Sequence, residues 1–362
     1  MADVRSILFL SDINSIHTQR WVKSLLANGF KIGIFSLSAK TSSWADDLDN
    51  LTFRCFGLKQ DLVRSKKKFG KLRYFSAQNE LRSFCNEFSP DIVHAHYASS
   101  YGMLAVRLKF PKTILSLWGS DVYEFPRRSI LHRVILKKIL RSIPVICSTS
   151  KNMVNEASKY VTKDYHVTPF GVNTELFKPC DRVEQILTIG TVKALEKVYG
   201  IDRLIQLFAE FLENYKKRAR LLIYGTGAEL NELKSLVVEL NLEKSVEFKG
   251  FVEGEELVRA FNSLDIFVAL SRQESFGVAV LEAQACGVPV VVSDVGGLPE
   301  VVGRETGFVI SGDDVEMGVN TLMKLTEKNK RTKMSVEARL FVEKNYSEKV
   351  CVEKLIQVYD QL

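Results

Sequence analysis

Short apolar runs with strand character alternate along the whole chain with longer segments in which apolar residues recur at helical spacing. The strand-like runs cover residues 6–10, 31–37, 91–95, 113–117 and 144–148 in the first half, and 185–189, 220–224, 245–248, 266–270 and 289–293 in the second. The helical segments between them include residues 18–28, 200–214, 228–240 and 255–262. Strands that alternate with helices form parallel sheets covered on both faces, so the pattern predicts an α/β protein.

The chain is long enough for two hydrophobic cores, because it has 362 residues of which 46% are hydrophobic. The segment PFGVNTELFKP, residues 169–179, contains two prolines and a glycine and reads as a linker. We therefore predict two doubly wound, Rossmann-like domains, residues 1–170 and 180–344, whose parallel sheets face each other across a cleft. A C-terminal helix at about residues 345–362 is expected to pack back on the first domain. Ligands of such domains bind at the carboxyl ends of the strands.

The composition argues against several other classes of protein. No apolar stretch approaches the roughly 18 residues of a transmembrane helix, and the N-terminal apolar run is too short for a signal peptide. Six cysteines are scattered along the chain, without a Cys-x-x-Cys pair or a His/Cys cluster of zinc spacing. We expect a cytoplasmic protein with reduced cysteines and no metal site.

The two halves of the chain differ in charge. Residues 1–180 contain 27 lysines and arginines against 14 aspartates and glutamates, whereas residues 181–362 contain 23 against 29. A basic half is typical of a protein that meets an anionic partner, such as nucleic acid, a membrane surface or a phosphorylated substrate.

Two basic runs concentrate this charge, residues 64–73 (RSKKKFGKLR) and 127–141 (RRSILHRVILKKILR). The second run interleaves its cations with isoleucines, leucines and a valine, which predicts an amphipathic basic helix. Such a helix either packs on the core with a solvated charged face or docks on anionic lipid, and we favour docking, at the inner face of the plasma membrane. Nucleic-acid binding is not expected, because no recognised module is present and few aromatic residues interleave the runs.

The stretch ESFGVAVLEAQACGVPVVVSDVGGLPEVV, residues 274–302, places two glutamates at the ends of an apolar segment. Ser275, Phe276 and Gly277 are predicted to form a turn between a strand and a helix, so that backbone amides at the helix start face a phosphate. Glu282, about one turn into that helix, would accept hydrogen bonds from the two hydroxyls of a ribose, and Glu274 would lie at the other end of the same ligand. The alternative is that the two glutamates simply cap and decorate a helix.

This stretch strongly resembles the donor-site signature of retaining glycosyltransferase family 4, which has the GT-B fold. Weaker matches occur at IHTQRW, DIVHAHYASSYG, LSLWGSDV, PFGVNTELFKP, IGTVKALEKVYGID, LIYGTGAELNELK and VEFKGFV, so the resemblance covers nearly the whole chain. It implies that Glu274 binds hydroxyls of the donor sugar and takes part in catalysis, and that Glu282 binds the ribose. It also implies a nucleotide diphosphate sugar as substrate and no metal cofactor.

The resemblance places cations on the donor diphosphate, whose negative charge grows in the transition state. Lys193 and Lys197 are the matching residues, although the family usually has an arginine followed by a lysine directly before a glycine, whereas Val198 and Tyr199 stand before Gly200 here. Either lysine could instead be a solvated surface charge. The resemblance further assigns donor contacts to Gly190, Thr191, Gly225, Thr226, Gly227, Phe251, Val252, Ser275, Phe276, Gly277 and Val278.

The first domain departs from the family in its loops. Many members have a Gly-Gly pair after the first strand, where this chain has Asp-Ile-Asn-Ser-Ile-His, so Asn14 and His17 are the polar candidates on the acceptor side. His94 and His96 flank an alanine at a strand end and are expected on one face, either as ligands of the acceptor or as core histidines.

A second departure follows another strand of the first domain. Many relatives have histidine where Trp118 stands, and that residue contacts the transferred sugar. Asp121 is the nearby candidate for a polar, catalytic contact, or it is the N-cap of the next turn.

The sequence and its resemblance to this family thus imply a retaining hexosyltransferase-type enzyme that moves a sugar from a nucleotide sugar, with UDP favoured over GDP, to a hydroxyl. A lipid-linked saccharide of bacterial surface polysaccharide synthesis is the expected acceptor. A soluble small-molecule acceptor remains an alternative, and so does a catalytically silent subunit that binds nucleotide sugars.

Overall fold

The computed structural model describes residues 5–58, 73–180 and 186–362. It divides into two compact units, Met1–Gly171 with Cys351–Leu362, and Val172–Val350. The predicted basic run at residues 64–73 lies outside the described residues except for Arg73, and so does Gln185 at the start of a predicted strand.

The first unit contains a parallel sheet of seven strands in the order β3-β2-β1-β4-β5-β6-β7. The strands are β1 (Ser6–Leu10), β2 (Lys31–Ser38), β3 (Leu51–Leu58), β4 (Ile92–His96), β5 (Thr113–Leu117), β6 (Val145–Ser148) and β7 (His166–Val167). Its helices are α1 (Ile16–Ala27), α2 (Arg73–Phe88), α3 (Met103–Leu108), α4 (Ser120–Tyr123), α5 (Ile130–Ser142) and α6 (Lys151–Ser158), with a π-helix at Tyr97–Gly102 and a 3-10 turn at Phe125–Arg127. The central strands β1, β4 and β5 are buried at every position, as expected of parallel strands covered on both faces.

The second unit contains a parallel sheet of six strands in the order β10-β9-β8-β11-β12-β13. The strands are β8 (Leu187–Val192), β9 (Ala219–Tyr224), β10 (Val246–Gly250), β11 (Ile266–Ala269), β12 (Val290–Ser293) and β13 (Gly307–Ile310). Its helices are α7 (Ile201–Asn214), α8 (Leu230–Glu239), α9 (Gly254–Asn262), α10 (Val278–Ala285), α11 (Val315–Lys324) and α12 (Lys328–Tyr346), with 3-10 turns at Lys197–Tyr199 and Leu298–Val301. The predicted α/β class with two parallel sheets is confirmed.

The last helix, α13 (Glu348–Asp360), carries the chain from the second unit to the first. Its Tyr359 is fully buried and its hydroxyl lies 2.7 Å from Nδ1 of His94 on β4. Arg5 donates to the carbonyl oxygen of Tyr359 at 2.7 Å and forms an ion pair with Asp360. These contacts hold the end of α13 against β4 and against the residue that precedes β1.

Both sheets reverse their strand order in the middle, between β1 and β4 in the first unit and between β8 and β11 in the second. At such a switch point the loops that leave two neighbouring strands turn in opposite directions and open a crevice at their carboxyl ends. The loops after β1, β4, β8 and β11 are therefore the places where a ligand site is expected.

Candidate functional site

Lys193 and Glu274 meet at the switch point of the second unit. Lys193 follows β8 and Glu274 lies in the loop after β11, and their Nζ and Oε2 atoms are 2.5 Å apart. Both side chains are largely shielded, with exposed fractions of 14% and 11%. Lys193 Nζ also lies 4.6 Å from the centre of the Tyr199 ring.

The electrostatic surroundings keep Lys193 charged. Burial favours the neutral amine, but the negative charges of Glu274 and Glu282 and the neighbouring Tyr199 outweigh burial, so the pKa of Lys193 is raised. Lys193 is thus a fixed, desolvated cation across the whole neutral pH range.

Glu282 is buried within α10, where every residue from Val280 to Ala285 is buried. Its charge acts on Lys193, and it also adds to the effect of burial in raising the pKa of the Cys286 thiol to about 12. A carboxylate is rarely buried in an apolar helix unless charges or hydrogen-bond donors compensate it. The two glutamates of the 274–302 stretch therefore belong to one electrostatic cluster around Lys193, and they do not decorate a solvated helix.

Glycines bring the loops of this edge into direct backbone contact. A Cβ on Gly225 would collide with the carbonyl oxygen of Lys193, and one on Gly227 with that of Leu195. A Cβ on Gly296 would likewise collide with the carbonyl oxygen of Glu274. The loop that carries Lys193 and the loop that carries Glu274 are thus each seated on a neighbouring glycine turn.

Gly277 is the N-cap of α10 and lies in the turn that the sequence predicts between a strand and a helix. In the structure its φ is +111°, and a Cβ would lie 2.9 Å from Cδ2 of Leu298 and 3.2 Å from Cγ2 of Val301. The glycine is therefore required by the packing of the loop against the Leu298–Val301 turn.

Lys197 is less closely held than Lys193. Its side chain is 66% exposed, and its Nζ lies 3.7 Å from Asp202 and 3.8 Å from Glu229. The carboxylate of Asp202 is bound in a bidentate manner by Arg272, at 2.8 and 2.6 Å, and Arg272 also donates to the carbonyl oxygen of Lys197 at 2.9 Å. Arg272 was missed by the sequence reasoning, although its position two residues before Glu274 is a usable signal.

The remaining predicted donor residues surround the same edge. Gly190 and Thr191 lie near the end of β8, where the Thr191 hydroxyl is buried and has no hydrogen-bond partner. Phe251 and Val252 follow β10, and the Phe251 ring is 66% exposed beside the Gly225 loop, whose amide donates to the carbonyl oxygen of Gly250 at 2.7 Å. The structure thus brings the predicted donor set together at the carboxyl ends of β8, β9, β10 and β11; its members, in chain order, are Gly190, Thr191, Lys193, Gly225, Thr226, Gly227, Phe251, Val252, Glu274, Ser275, Phe276, Gly277, Val278 and Glu282.

Histidines and aromatic residues occupy the switch point of the first unit. His17 stacks on Phe170 with ring centroids 4.0 Å apart, and His96 lies 4.4 Å from Trp118. His96 Nδ1 is 2.8 Å from the Ser11 hydroxyl, which in turn is 2.7 Å from the Thr18 hydroxyl.

Two ring nitrogens of this aromatic cluster lack partners. His17 Nδ1 and His96 Nε2 are buried without a hydrogen bond. Burial, followed by the charge of Arg20, lowers the pKa of His17 to about 3, and burial with the neighbouring histidines holds the pKa of His96 well below its usual value. Both imidazoles are therefore neutral and suited to a neutral hydroxyl.

His94 shares a face with His96 but is a core histidine. Its two ring nitrogens are bonded to the hydroxyls of Tyr359, at 2.7 Å, and Ser116, at 2.8 Å. Burial lowers its pKa to about 3. With both nitrogens engaged, His94 has no atom left for an acceptor, so its expected acceptor-side role does not fit the structure.

Asp121 and Asn14 hold loops. Asp121 is fully buried and accepts hydrogen bonds from the amides of Ala98 at 2.9 Å, Gly119 at 2.9 Å and Trp118 at 3.3 Å. Burial still raises its pKa despite these bonds. Gly119, and not Asp121, is the N-cap of α4, so neither expectation for Asp121 fits: its carboxylate ties two loops together away from solvent.

The Asn14 side chain is similarly engaged within the protein. Its amide donates to the carbonyl oxygen of Ala39 at 2.8 Å, and its Oδ1 accepts from the Thr41 amide, also at 2.8 Å. Asn14 therefore joins the loop after β1 to the loop after β2.

The predicted amphipathic basic helix begins later than expected, at Ile130 of α5, with Ser129 as its N-cap. Leu136, Ile139 and Leu140 are buried, whereas Ile130, Leu131 and Val134 are 78%, 65% and 56% exposed. The two arginines before the helix, Arg127 and Arg128, form ion pairs with Glu156 and Glu124. The structure thus shows both a core-packed face and an exposed face on which cations and apolar side chains are mixed.

Within residues 5–58, 73–180 and 186–362, no group of three or more histidine, cysteine, aspartate or glutamate side chains is arranged to hold a metal ion. None of the helices in these ranges is long and apolar enough to span a membrane.

Two family models match the chain. Residues 173–341 match the family model of glycosyl transferases group 1, and residues 6–150 match that of glycosyl transferase 4-like proteins. The chain is 27% identical over 291 residues to N-acetyl-α-D-glucosaminyl L-malate synthase of Bacillus anthracis, covering 75% of both chains.

Solved structures show the same fold. The chain matches sucrose-phosphate synthase of Thermosynechococcus elongatus with a TM-score of 0.82 and 19% identity, over 99% of this chain and 98% of that one. It matches Anabaena HepE, solved in complex with UDP and glucose, with a TM-score of 0.79 and 17% identity, over 98% and 99% of the chains.

Proposed function

Since the chain belongs to the group 1, family 4-type glycosyltransferases and has the GT-B fold, we propose that it transfers a sugar from a nucleotide diphosphate sugar to a hydroxyl with retention of the anomeric configuration. The observation that carries this proposal is the buried cluster of Lys193, Glu274 and Glu282 at the switch point of the second sheet. A desolvated cation that is paired with one carboxylate and feels the charge of a second suits a ligand that carries a diphosphate between two sets of hydroxyls.

Each member of the cluster has a chemical role in the proposed transfer. Glu282 accepts hydrogen bonds from the ribose hydroxyls, and Glu274 accepts them from the donor sugar. Lys193 stabilises the charge that develops on the leaving diphosphate, where a fixed, poorly hydrated cation acts strongly and needs no reorganisation. Because Lys193 supplies this charge, we expect transfer without a metal ion.

Retention is proposed to follow from attack on the face that the diphosphate leaves. The acceptor oxygen forms the new bond to the anomeric carbon while the bond from that carbon to the phosphate oxygen breaks, and the acceptor proton passes to the leaving phosphate. Glu274 is held in an ion pair with Lys193, which makes it a poor nucleophile for a double displacement.

For the acceptor we propose a lipid-linked saccharide at the cytoplasmic face of a membrane, as in bacterial surface polysaccharide synthesis. The support is the exposed face of α5, where Ile130, Leu131 and Val134 accompany cations without an acidic residue in the helix. The name of N-acetyl-α-D-glucosaminyl L-malate synthase, a relative that is 27% identical to this chain, keeps a soluble acceptor as the second candidate.

Calorimetric titration with UDP, GDP and ADP tests the donor site. We expect UDP to bind best, and Glu282→Ala to weaken its binding by at least about tenfold, since the ribose loses two hydrogen bonds to a charged group. Glu255→Ala is the control, because Glu255 is exposed on α9 and its carboxylate pairs with the exposed Arg259 one turn along.

The possible outcomes of this titration distinguish the proposed function from its alternatives. Preference for GDP would correct the donor and keep the function. Equal binding by the wild type and Glu282→Ala would refute the proposed site. A protein that binds UDP-glucose or UDP-N-acetylglucosamine but transfers sugar to none of a panel of saccharide, polyprenyl-saccharide and small acceptors would favour the silent subunit.

A further inference from the structure

Tyr346, the last residue of α12, touches the loop that carries Glu274. Its hydroxyl donates to the carbonyl oxygen of Glu300 at 2.8 Å. Its ring lies 6.0 Å, centroid to centroid, from the ring of Phe276, which is buried between Glu274 and the N-cap of α10. The proposed transfer chemistry leaves Tyr346 without a role.

The Leu298–Val301 turn that Tyr346 binds supports the Glu274 loop directly. The preceding residue, Gly297, donates its amide to the carbonyl oxygen of Glu274 at 3.1 Å. From the other side, Nε2 of the buried Gln284 donates to the carbonyl oxygen of Val301 at 2.7 Å. The turn is thus held between α10 and Tyr346. Through the hydrogen bond from Gly297 it fixes the position of the Glu274 backbone.

The backbone of Tyr346 makes a second connection. Its carbonyl oxygen accepts from the amide of Val172 at 2.8 Å, and the amide of Glu348 donates to the carbonyl oxygen of Val172 at 3.0 Å. Val172 is the first residue of the second unit after the chain leaves the first. The main chain of Tyr346 therefore binds the crossing segment, residues 172–174, at which the chain enters the second unit. Its side chain binds the Leu298–Val301 turn.

Arg339, two turns earlier on α12, strengthens the same frame. It donates to the carbonyl oxygen of Thr174 in the crossing segment at 2.8 Å and to that of Ala285, the last residue of α10, at 2.9 Å. Helix α12 is consequently hydrogen-bonded to three parts of the second unit. They are α10, which carries Glu282, the Leu298–Val301 turn, and the crossing segment.

We propose that Tyr346 is a positioning residue of the transfer reaction, which holds the Glu274 carboxylate in register with the donor sugar through Glu300 and Phe276. This inference rests on the proposed function, because it assumes that Glu274 meets a sugar. A carboxylate that must meet defined hydroxyls loses effect when its loop shifts by a fraction of an ångström, so the supporting hydrogen bond matters although it touches no substrate.

The test compares Tyr346→Phe with Tyr165→Phe. Tyr165 donates to the carbonyl oxygen of Val161 at 2.7 Å in the first unit, so the control deletes the same kind of bond elsewhere. Calorimetry with UDP and with UDP-glucose or UDP-N-acetylglucosamine should show UDP affinity within about twofold of wild type for both variants. In Tyr346→Phe alone, the affinity gained from the sugar should fall by about three- to tenfold, the range of one hydrogen bond.

The same variants are examined by hydrogen–deuterium exchange without nucleotide. We expect faster exchange in peptides covering residues 274–302 for Tyr346→Phe and unchanged exchange for Tyr165→Phe. Unchanged exchange and an unchanged sugar contribution in Tyr346→Phe would overturn the inference. Faster exchange in a protein whose wild type binds none of these nucleotides would uphold the mechanical link and refute the proposed function.

Discussion

The ammonium of Lys193 and the carboxylate of Glu274 form a shielded ion pair 2.5 Å long between the loops that leave the adjacent strands β8 and β11. Removing one member of a shielded pair leaves the other as an uncompensated charge, which is more damaging than the absence of the pair itself. Here the charge that remains would lie where the proposed diphosphate and sugar meet.

Replacement of Lys193 is expected to abolish most activity. Lys193→Met should lower kcat by about 10²- to 10³-fold, the usual effect of removing a group that stabilises developing charge. Lys197→Met should change kcat by less than about threefold, because Lys197 is largely exposed and its ion pairs are long. Initial rates with the nucleotide sugar identified by calorimetry check both variants, and equal losses would contradict the distinction between the two lysines.

Substitution of Gly225 tests the backbone contact between this glycine and the loop that carries Lys193. Gly225→Ala should destabilise the second unit by more than about 3 kcal/mol, because the new Cβ meets the carbonyl oxygen of Lys193. Gly254→Ala is the control: Gly254 also has a positive φ, of +55°, but nothing lies within 4 Å of the new Cβ, so only the conformational cost of about 1–2 kcal/mol applies. Urea unfolding followed by circular dichroism measures both, and similar losses would show that the Lys193 loop can yield.

Acid should destabilise the first unit selectively. All five histidines lie in it, and burial holds the pKa of His17 and of His94 at about 3. The unfolded chain binds these protons from about pH 6.5 downwards while the folded chain does not, so stability is fully present above pH 6.5 and falls as the pH drops towards 3. The buried Asp121 acts in the opposite direction, because its pKa is raised, but the histidines outnumber it.

Tryptophan fluorescence measures this effect, since all three tryptophans, Trp21, Trp44 and Trp118, are in the first unit. The free energy of unfolding should fall by at most about 1.4 kcal/mol per pH unit for each buried histidine. His17→Phe, which keeps the stacking on Phe170 and cannot be protonated, should make the dependence shallower. An unchanged slope would mean that His17 is not neutral in the folded protein.

The exposed face of α5 should bind anionic membranes. Reversal of Arg133, Lys137 and Lys138 to glutamate should weaken binding to vesicles that contain phosphatidylglycerol by more than about tenfold, since each cation near the surface contributes about 1 kcal/mol. The double variant Leu131→Ser, Val134→Ser should also weaken binding to the vesicles, and the loss should be the same at low and at high salt. Reversal of Lys324, Lys333 and Lys344, which are exposed in the second unit, changes the net charge equally and should have little effect. Equal losses in both charge-reversal variants would indicate non-specific attraction.

Much of the fold could be predicted from local pattern. The strands at the centres of the sheets are buried and mostly apolar, so they stand out as short continuous runs, and β5 was predicted to the residue. The strands β3 and β13 were not predicted. Both lie at sheet edges, where one side is open and side chains such as Arg54 on β3 and Val309 on β13 are partly exposed, so neither has a continuous buried pattern.

The candidate site was predictable where its residues are close in sequence to their strand. Glu274 and Glu282 could be proposed from the strand–turn–helix pattern of their own stretch, and Lys193 from the resemblance to family members with cations after the first strand of this domain. The reach of Tyr346 to Glu300 could not, since it depends on how α12 packs, and no short motif encodes that contact. Asp121 is an example of what the sequence could not predict. Its carboxylate could bind a ligand or three backbone amides, and only the fold of its loop decides which.

The glycine contacts with the loops after β8 and β11 have a consequence for the evolution of this protein. Lys193, Leu195 and Glu274 are seated through their carbonyl oxygens on Gly225, Gly227 and Gly296, so the frame of the site is built from main-chain atoms that every amino acid shares. Side chains around the frame can be exchanged without rebuilding it, whereas the glycines cannot. In the proposed transferase, mutational drift should therefore change the preference for one sugar or another far more readily than it changes the ability to bind a nucleotide.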